Sequence, residues 1–235
     1  MQFIESSFSG VRAALYELAR NEDEPHFLLV PMIHIGSAAY YQDVRTRLAQ
    51  CDTIVFEGVK SFRGRVLTLS YSIVARRKRL GLVTQREALP MKSLRAKLVH
   101  ADVSTEEFTG SWMRVPWYLR VMIYVSAPLF GIFLYLTATR RSLGRRLSTE
   151  DLRSSEDIVR EEQMPGLDEA IVHARDRRFT ETVRALACEN SAGRSLIGVI
   201  YGAGHMRAIT GTLMEDLRFR VTKADWVPVF DYDDG

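Results

Sequence analysis

Apolar positions along the chain follow two rhythms. Short unbroken apolar runs occur in "HFLLVPMIHIG" (26–36), "DTIVFEG" (52–58) and "SLIGVIYGAGH" (195–205), each closed by proline or glycine. Runs of that length between turn residues predict buried strands. After Ser37 the spacing changes. Ala38, Tyr41, Val44 and Leu48 recur at helical intervals, with Ser37 placed as the N-cap. Residues 26–58 therefore read as strand, helix, strand, which predicts a parallel pair joined by a right-handed crossover.

The basic, mixed stretch 59–95 reads as helical. "KLVHADVSTEEF" (97–108) predicts a short strand reaching Asp102, then a helix capped by Ser104 or Thr105, with Glu107 as the capping-box partner for Ser104. Leu167, Ala170, Ile171, Ala174, Val183 and Leu186 outline a helix over 167–189, and Met206, Ile209, Leu213 and Leu217 outline another. "FRVTKADWVPVF" (219–230) closes the chain as a strand region. Strands separated by helices call for an α/β fold: a mixed or parallel central sheet flanked by helices, in one domain over 1–235.

One stretch breaks this pattern. "VMIYVSAPLFGIFLYLTA" (121–138) is eighteen residues without a charge, just enough to span a bilayer. Trp112, Trp117 and Tyr118 precede it and Arg140, Arg141, Arg145 and Arg146 follow, as at a membrane interface. Pro128 and Gly131 near its middle predict a helical hairpin, too short in each arm to cross but long enough to anchor on one face. The competing expectations are burial within the protein or in a homo-oligomer and, last, a single span, which would part His34 from His205. Segment 110–146 is thus an apolar helical insertion, with membrane-surface contact expected through 115–138.

Composition narrows the class. A net charge of +3 gives no reason to expect nucleic acid, and Arg76-Arg77-Lys78-Arg79 lacks interleaved aromatics, so it reads as a solvated face. Cys51 and Cys188 stand far apart with no CxxC, as thiols of a reducing compartment do. The N-terminus has an acidic residue at position 5 and no continuous apolar core, so no cleavable secretory signal is expected. The expected location is cytoplasmic, attached to the cytoplasmic membrane.

The candidate chemistry lies at strand tips. Offset by 171 residues, "VPMIHIGSAAYY" lies over "YGAGHMRAITGT", so His34 falls on His205. Each histidine follows a buried strand and precedes a helix, and open α/β sheets bind ligands outside the carboxyl ends of their strands. A parallel arrangement brings Glu57 to the same edge. Two imidazoles and a carboxylate make a divalent-metal site, and the mixed donors suit manganese, cobalt, zinc or iron. The correspondence is not a full repeat, since position 228, opposite Glu57, is proline. Gly202 and Gly204 either permit a tight turn or let backbone approach a ligand.

An apolar strand, a GxxH-like motif, a strand-terminal glutamate, a downstream RD pair and a second GxxH together resemble the TraB/PrgY/GumN family. The family includes Tiki-type proteases and is related in fold to erythromycin esterase and ChaN-like proteins. The residues concerned are Pro31-Met32-Ile33-His34, Glu57, Arg175-Asp176 and Gly202-Ala203-Gly204-His205, with Pro31 standing where the family has glycine. The "HADVSTEEF" segment around Asp102 also looks like a stretch of bacterial members.

The resemblance implies a metal-dependent hydrolase, a peptidase in the Tiki-type members, acting near a membrane surface. His34 and His205 would be ligands, and Glu57 a ligand or the base acting on water. Arg175 would steady an oxyanion or orient Glu57, or else form a structural salt bridge with Asp176 or a neighbouring helix. Asp102, Asp176, Gly202 and Gly204 would lie around these groups, and Asp102 also suits a helix start. The rival implication is a non-catalytic, membrane-associated protein that binds a peptide, like the pheromone-shutdown members. A further rival is a metal-free esterase with histidine as base.

Overall fold

The computed structural model describes residues 1–58, 69–150, 173–189 and 195–233. Its strands are β1 (Ile4–Ser6), β2 (Gly10–Ala19), β3 (His26–Met32), β4 (Ile35–Gly36), β5 (Thr53–Phe56), β6 (Val83–Thr84), β7 (Lys97–His100), β8 (Leu196–Gly202) and β9 (Arg220–Asp231). The helices are α1 (Ala38–Leu48), α2 (Leu69–Ala75), α3 (Gln85–Ala88), α4 (Thr105–Arg114), α5 (Trp117–Thr137), α6 (Arg140–Glu150), α7 (Ala174–Cys188) and α8 (Met206–Thr210). The protein is an α/β fold with a mixed central sheet flanked by helices.

The main sheet runs β1-β2-β3-β8-β5-β7, with β9 along the other edge of β2. Strands β3, β8, β5 and β7 are mutually parallel, while β1, β2 and β9 pair antiparallel. Here the sequence reading is corrected. β3 and β5 are parallel but are not neighbours, because β8 lies between them and pairs with both. All seven β3 positions are buried, and β8 is buried through its middle. Strands covered on both faces read as continuous apolar runs, which is why they were visible in sequence.

Antiparallel β1 and β2 escaped the pattern, since β2 mixes Arg12, Glu17 and alanines that carry little strand preference. Partners supply what local preference lacks. Arg12 pairs with Glu5 at 2.7 Å on β1 and lies 4.7 Å over the Trp226 ring on β9.

Helix α1 covers one face through Tyr40, Tyr41, Val44 and Leu48, and Ser37 accepts a hydrogen bond from Tyr40 N at 3.1 Å as the expected cap. Helices α7 and α8 cover the other through Phe179, Val183, Leu186, Met206 and Ile209. Helix α7 matches the later part of the predicted 167–189 helix; positions before 173 lie outside the described residues. The Ser104–Glu107 capping box forms as expected. Segment 59–95 is less helical than expected, since among its described residues α2 and α3 are joined by short turns and strand β6.

Helix α5 runs unbroken through Pro128 and Gly131, so the hairpin expectation is corrected. Proline removes one backbone bond, to the Tyr124 carbonyl, and the helix is held on both sides of that point. Trp112 Nε1 donates to Tyr124 Oη at 2.9 Å before it, while Leu134 joins the main core after it. By length and composition α5 could cross a membrane, and 17% of its apolar window is buried. A single crossing is incompatible with the sheet. β5 and β7 precede α5 and β8 follows it, yet β8 pairs with β5. Both ends of α5 therefore lie on one side.

Burial separates the two free thiols. Cys51 is buried, and burial, reinforced by the Asp52 and Glu17 charges, pushes its pKa up to about 12. Cys188 is exposed at the end of α7. A thiol reagent at neutral pH should label Cys188 in the native protein and Cys51 only in denaturant, which mass spectrometry of the labelled peptides would check.

Candidate functional site

The parallel strands end together. Met32 of β3 aligns with Gly202 of β8, Phe56 of β5 with Ile200, and His100 of β7 with Phe56. His34, His205, Glu57 and Asp102 each follow one of these ends within three residues. The shared carboxyl edge expected from sequence is present, now with a fourth strand.

At that edge lies a charge network. Arg175, near the start of α7, donates from Nε to Asp102 Oδ1 at 2.9 Å and from Nη2 to Asp102 Oδ2 at 2.7 Å. The same Nη2 reaches Glu57 Oε2 at 2.9 Å. Asp102 is fully enclosed, and its oxygens also accept from Gly58 N at 2.9 Å and Val103 N at 2.8 Å. Burial alone would raise its pKa, but the Arg175 hydrogen bonds and charge, with the two backbone donors, outweigh burial and hold the carboxyl below its usual range. Burial likewise opposes the Arg175 charge, yet Asp102 and Glu57 hold that charge more firmly than usual.

Ser104 caps α4 as expected, and Asp102, which also suited a helix start, is the centre of the network. Arg175 bonds both Glu57 and Asp102, and has no bond to Asp176 among the described residues.

Glu57 is aimed by the turn that follows it. Gly58 has φ +152, a conformation open essentially to glycine. Its N–H serves Asp102, and its carbonyl accepts from His100 Nε2 at 2.8 Å. His100 thus braces the Glu57 turn.

His205 is held from two sides. Its Nδ1 lies 2.7 Å from Asp176 Oδ1, which fixes the ring and leaves Nε2 as the reactive nitrogen. The ring stacks on Tyr201 at 4.6 Å between centroids, and Tyr201 stacks on Phe179 at 4.1 Å. Tyr201 is fully buried, and its hydroxyl has no hydrogen-bond partner among the described residues. Burial raises its pKa further from neutrality, so it stays protonated. Sequence reasoning missed this aromatic platform. Its only signal was position, immediately before Gly202 on a buried strand.

Gly202 has φ −54, which any residue adopts, so no tight turn requires glycine there. A Cβ at that point would lie 3.4 Å from His205 Cδ2 and 3.5 Å from Glu57 Oε1. Glu57 and His205 therefore flank one gap that glycine leaves open. Gly204 is exposed in the turn Ala203–His205 and has no positive φ.

His34 lies on the same edge, but its ring packs 5.0 Å from the Tyr71 ring of α2. Among the described residues no group of three His, Cys, Asp or Glu side chains could hold a metal ion. One oxygen of Glu57 accepts from the Arg175 guanidinium, which leaves the other toward Gly202, and the His34 ring packs against Tyr71. A separate small cavity is lined by Glu17, Arg47, Leu196 and Asp225, near the opposite, amino ends of the parallel strands.

Comparison with protein-family models, with curated proteins and with solved structures finds no match to this chain.

Proposed function

We propose that this chain is a hydrolase acting at a membrane surface, with His205 as general base and Glu57 facing it across the substrate gap. The observation that carries the reading is the pair of groups flanking Gly202, each oriented by its own partner. His205 Nε2 would take a proton from water as that water attacks a carbonyl. It would return the proton to the alcohol or amine that leaves as the acyl C–O or C–N bond breaks. Asp176 would hold the ring and stabilise the imidazolium that forms. Arg175, tied to two carboxylates, is a positioning residue that keeps Glu57 Oε1 toward the gap. The motif order shared with the TraB/PrgY/GumN family supports this class, and an ester or peptide bond is the substrate class it suggests.

The metal-dependent version of the same hydrolase is favoured by one observation, the adjacency of β3, β8 and β5, which end beside His34, His205 and Glu57. Panels of ester and peptide substrates, assayed with and without chelator, separate the two readings. His205→Ala should lower turnover at least about 100-fold while the fold is kept. Chelator-insensitive activity supports the His205–Asp176 base. Near-stoichiometric metal by elemental analysis of the wild type, lost in His205→Ala, supports the ion. Ligand binding without turnover, unchanged in Glu57→Gln, would instead make the chain a peptide-binding protein.

A further inference from the structure

The exposed face of α5 and two basic segments, far apart in sequence, form one surface. Leu119, Gly131 and Leu134 are the buried positions of α5. Around the helix from them stand Val121, Val125, Leu129, Ile132, Phe133 and Leu136, between 49% and 66% exposed. Their spacing keeps them in one stripe along the whole helix. Trp117 and Tyr118 are exposed at its first turn.

At the other end, two hydrogen bonds draw distant cations together. Arg77 Nη1 donates to the Ala138 carbonyl at 2.7 Å, and Arg140 Nε donates to the Leu80 carbonyl at 2.7 Å. Exposed Arg76, Lys78 and Arg79 thereby stand beside α6, which carries exposed Arg141, Arg145 and Arg146. The Arg146 guanidinium lies 5.2 Å over the ring of Phe130, itself an exposed residue of α5. No Asp or Glu occurs between Glu57 and Glu87, or between Glu107 and Glu150. The apolar stripe is therefore continuous with a cationic patch drawn from segments free of acid.

We propose that this surface seats the protein on an anionic lipid bilayer, with α5 lying in the interface plane and the cationic patch against headgroup phosphates. This rests on the membrane-surface reading above, and adds the lipid class and the orientation. Helix α5 is roughly 30 Å long and tied at both ends to one domain, so it can only lie along a bilayer. Its stripe enters the acyl boundary while aromatic and cationic ends stay at headgroup depth. A second copy fits the charge poorly. An isologous pairing sets like charges such as Arg76, Lys78 and Arg79 against the same patch of a second copy.

The test is flotation of the full chain with vesicles of phosphatidylcholine alone and with vesicles that also contain phosphatidylglycerol. Binding should be strong on the anionic vesicles, weak on the neutral ones, and should fall as salt is raised. Arg76→Gln, Lys78→Gln and Arg79→Gln together should weaken anionic binding on the order of 100-fold, since each basic residue near such a surface contributes about 5-fold. Quenching of Trp117 fluorescence by brominated lipid, absent in Trp117→Phe, reads the orientation without altering the patch. Equal binding to both vesicles would overturn the anionic-lipid assignment and leave the membrane reading standing. Failure to float with either vesicle would overturn both, and a dimer in light scattering would then assign the face to a second copy.

Discussion

Asp102→Ala should cost about 3–5 kcal/mol of folding stability, a large share of what a domain of this size possesses. The substitution leaves the Arg175 guanidinium enclosed with Glu57 as its remaining carboxylate, and removes the acceptor of the Gly58 and Val103 N–H groups. An enclosed charge without its partner is costly because water no longer reaches it to compensate. Asp102→Asn keeps an acceptor and should cost less. The pH dependence has a definite sign. The folded Asp102 carboxyl lies below its ordinary range, so its contribution is complete above the unfolded value near pH 4. It is lost as pH falls through the lower folded value. Urea titrations between neutral pH and pH 3 should show wild-type stability declining more steeply than that of Asp102→Asn. Parallel slopes in the two proteins would mean that Asp102 is not the coupled group.

Phe179→Ala should cost about 3–5 kcal/mol as well, and should also loosen the site. The ring is fully buried and sits under Tyr201, which in turn carries His205. Removing it opens a cavity beneath the platform and loosens α7, the helix that delivers Arg175 and Asp176. Phe179→Leu retains most of the volume and should recover more than half of the loss. Chemical denaturation gives the stability change, and the imidazole resonances of His205 report whether the stack has moved. A stability loss with an unchanged His205 spectrum would show that Asp176 alone orients the ring.

Much of the frame was legible without coordinates. Strands buried on both faces announce themselves as unbroken apolar runs, and α1 and α4 announce themselves by spacing and by capping residues a few positions away. The edge location of His34, Glu57 and His205 followed from strand ends and parallel order. Antiparallel β2 did not show itself, because its alanines and charges become a strand only between β9, β1 and β3. The unbroken course of α5 through Pro128 was equally hidden. It depends on anchors at Tyr124 and Leu134 that no local rule supplies.

The sequence by itself determined which segments are strands of the parallel sheet, which residues end them, and that 121–138 carries an excess of apolar surface. These follow from periodicity and turn chemistry among near neighbours. Tertiary structure alone decided that β8 enters between β3 and β5, and that α5 cannot cross a bilayer. It also decided that Arg175 binds Asp102 and Glu57, which lie 73 and 118 residues away in sequence. Such choices are settled by packing and by the demand that enclosed charges find partners, and both act through space without regard to chain separation.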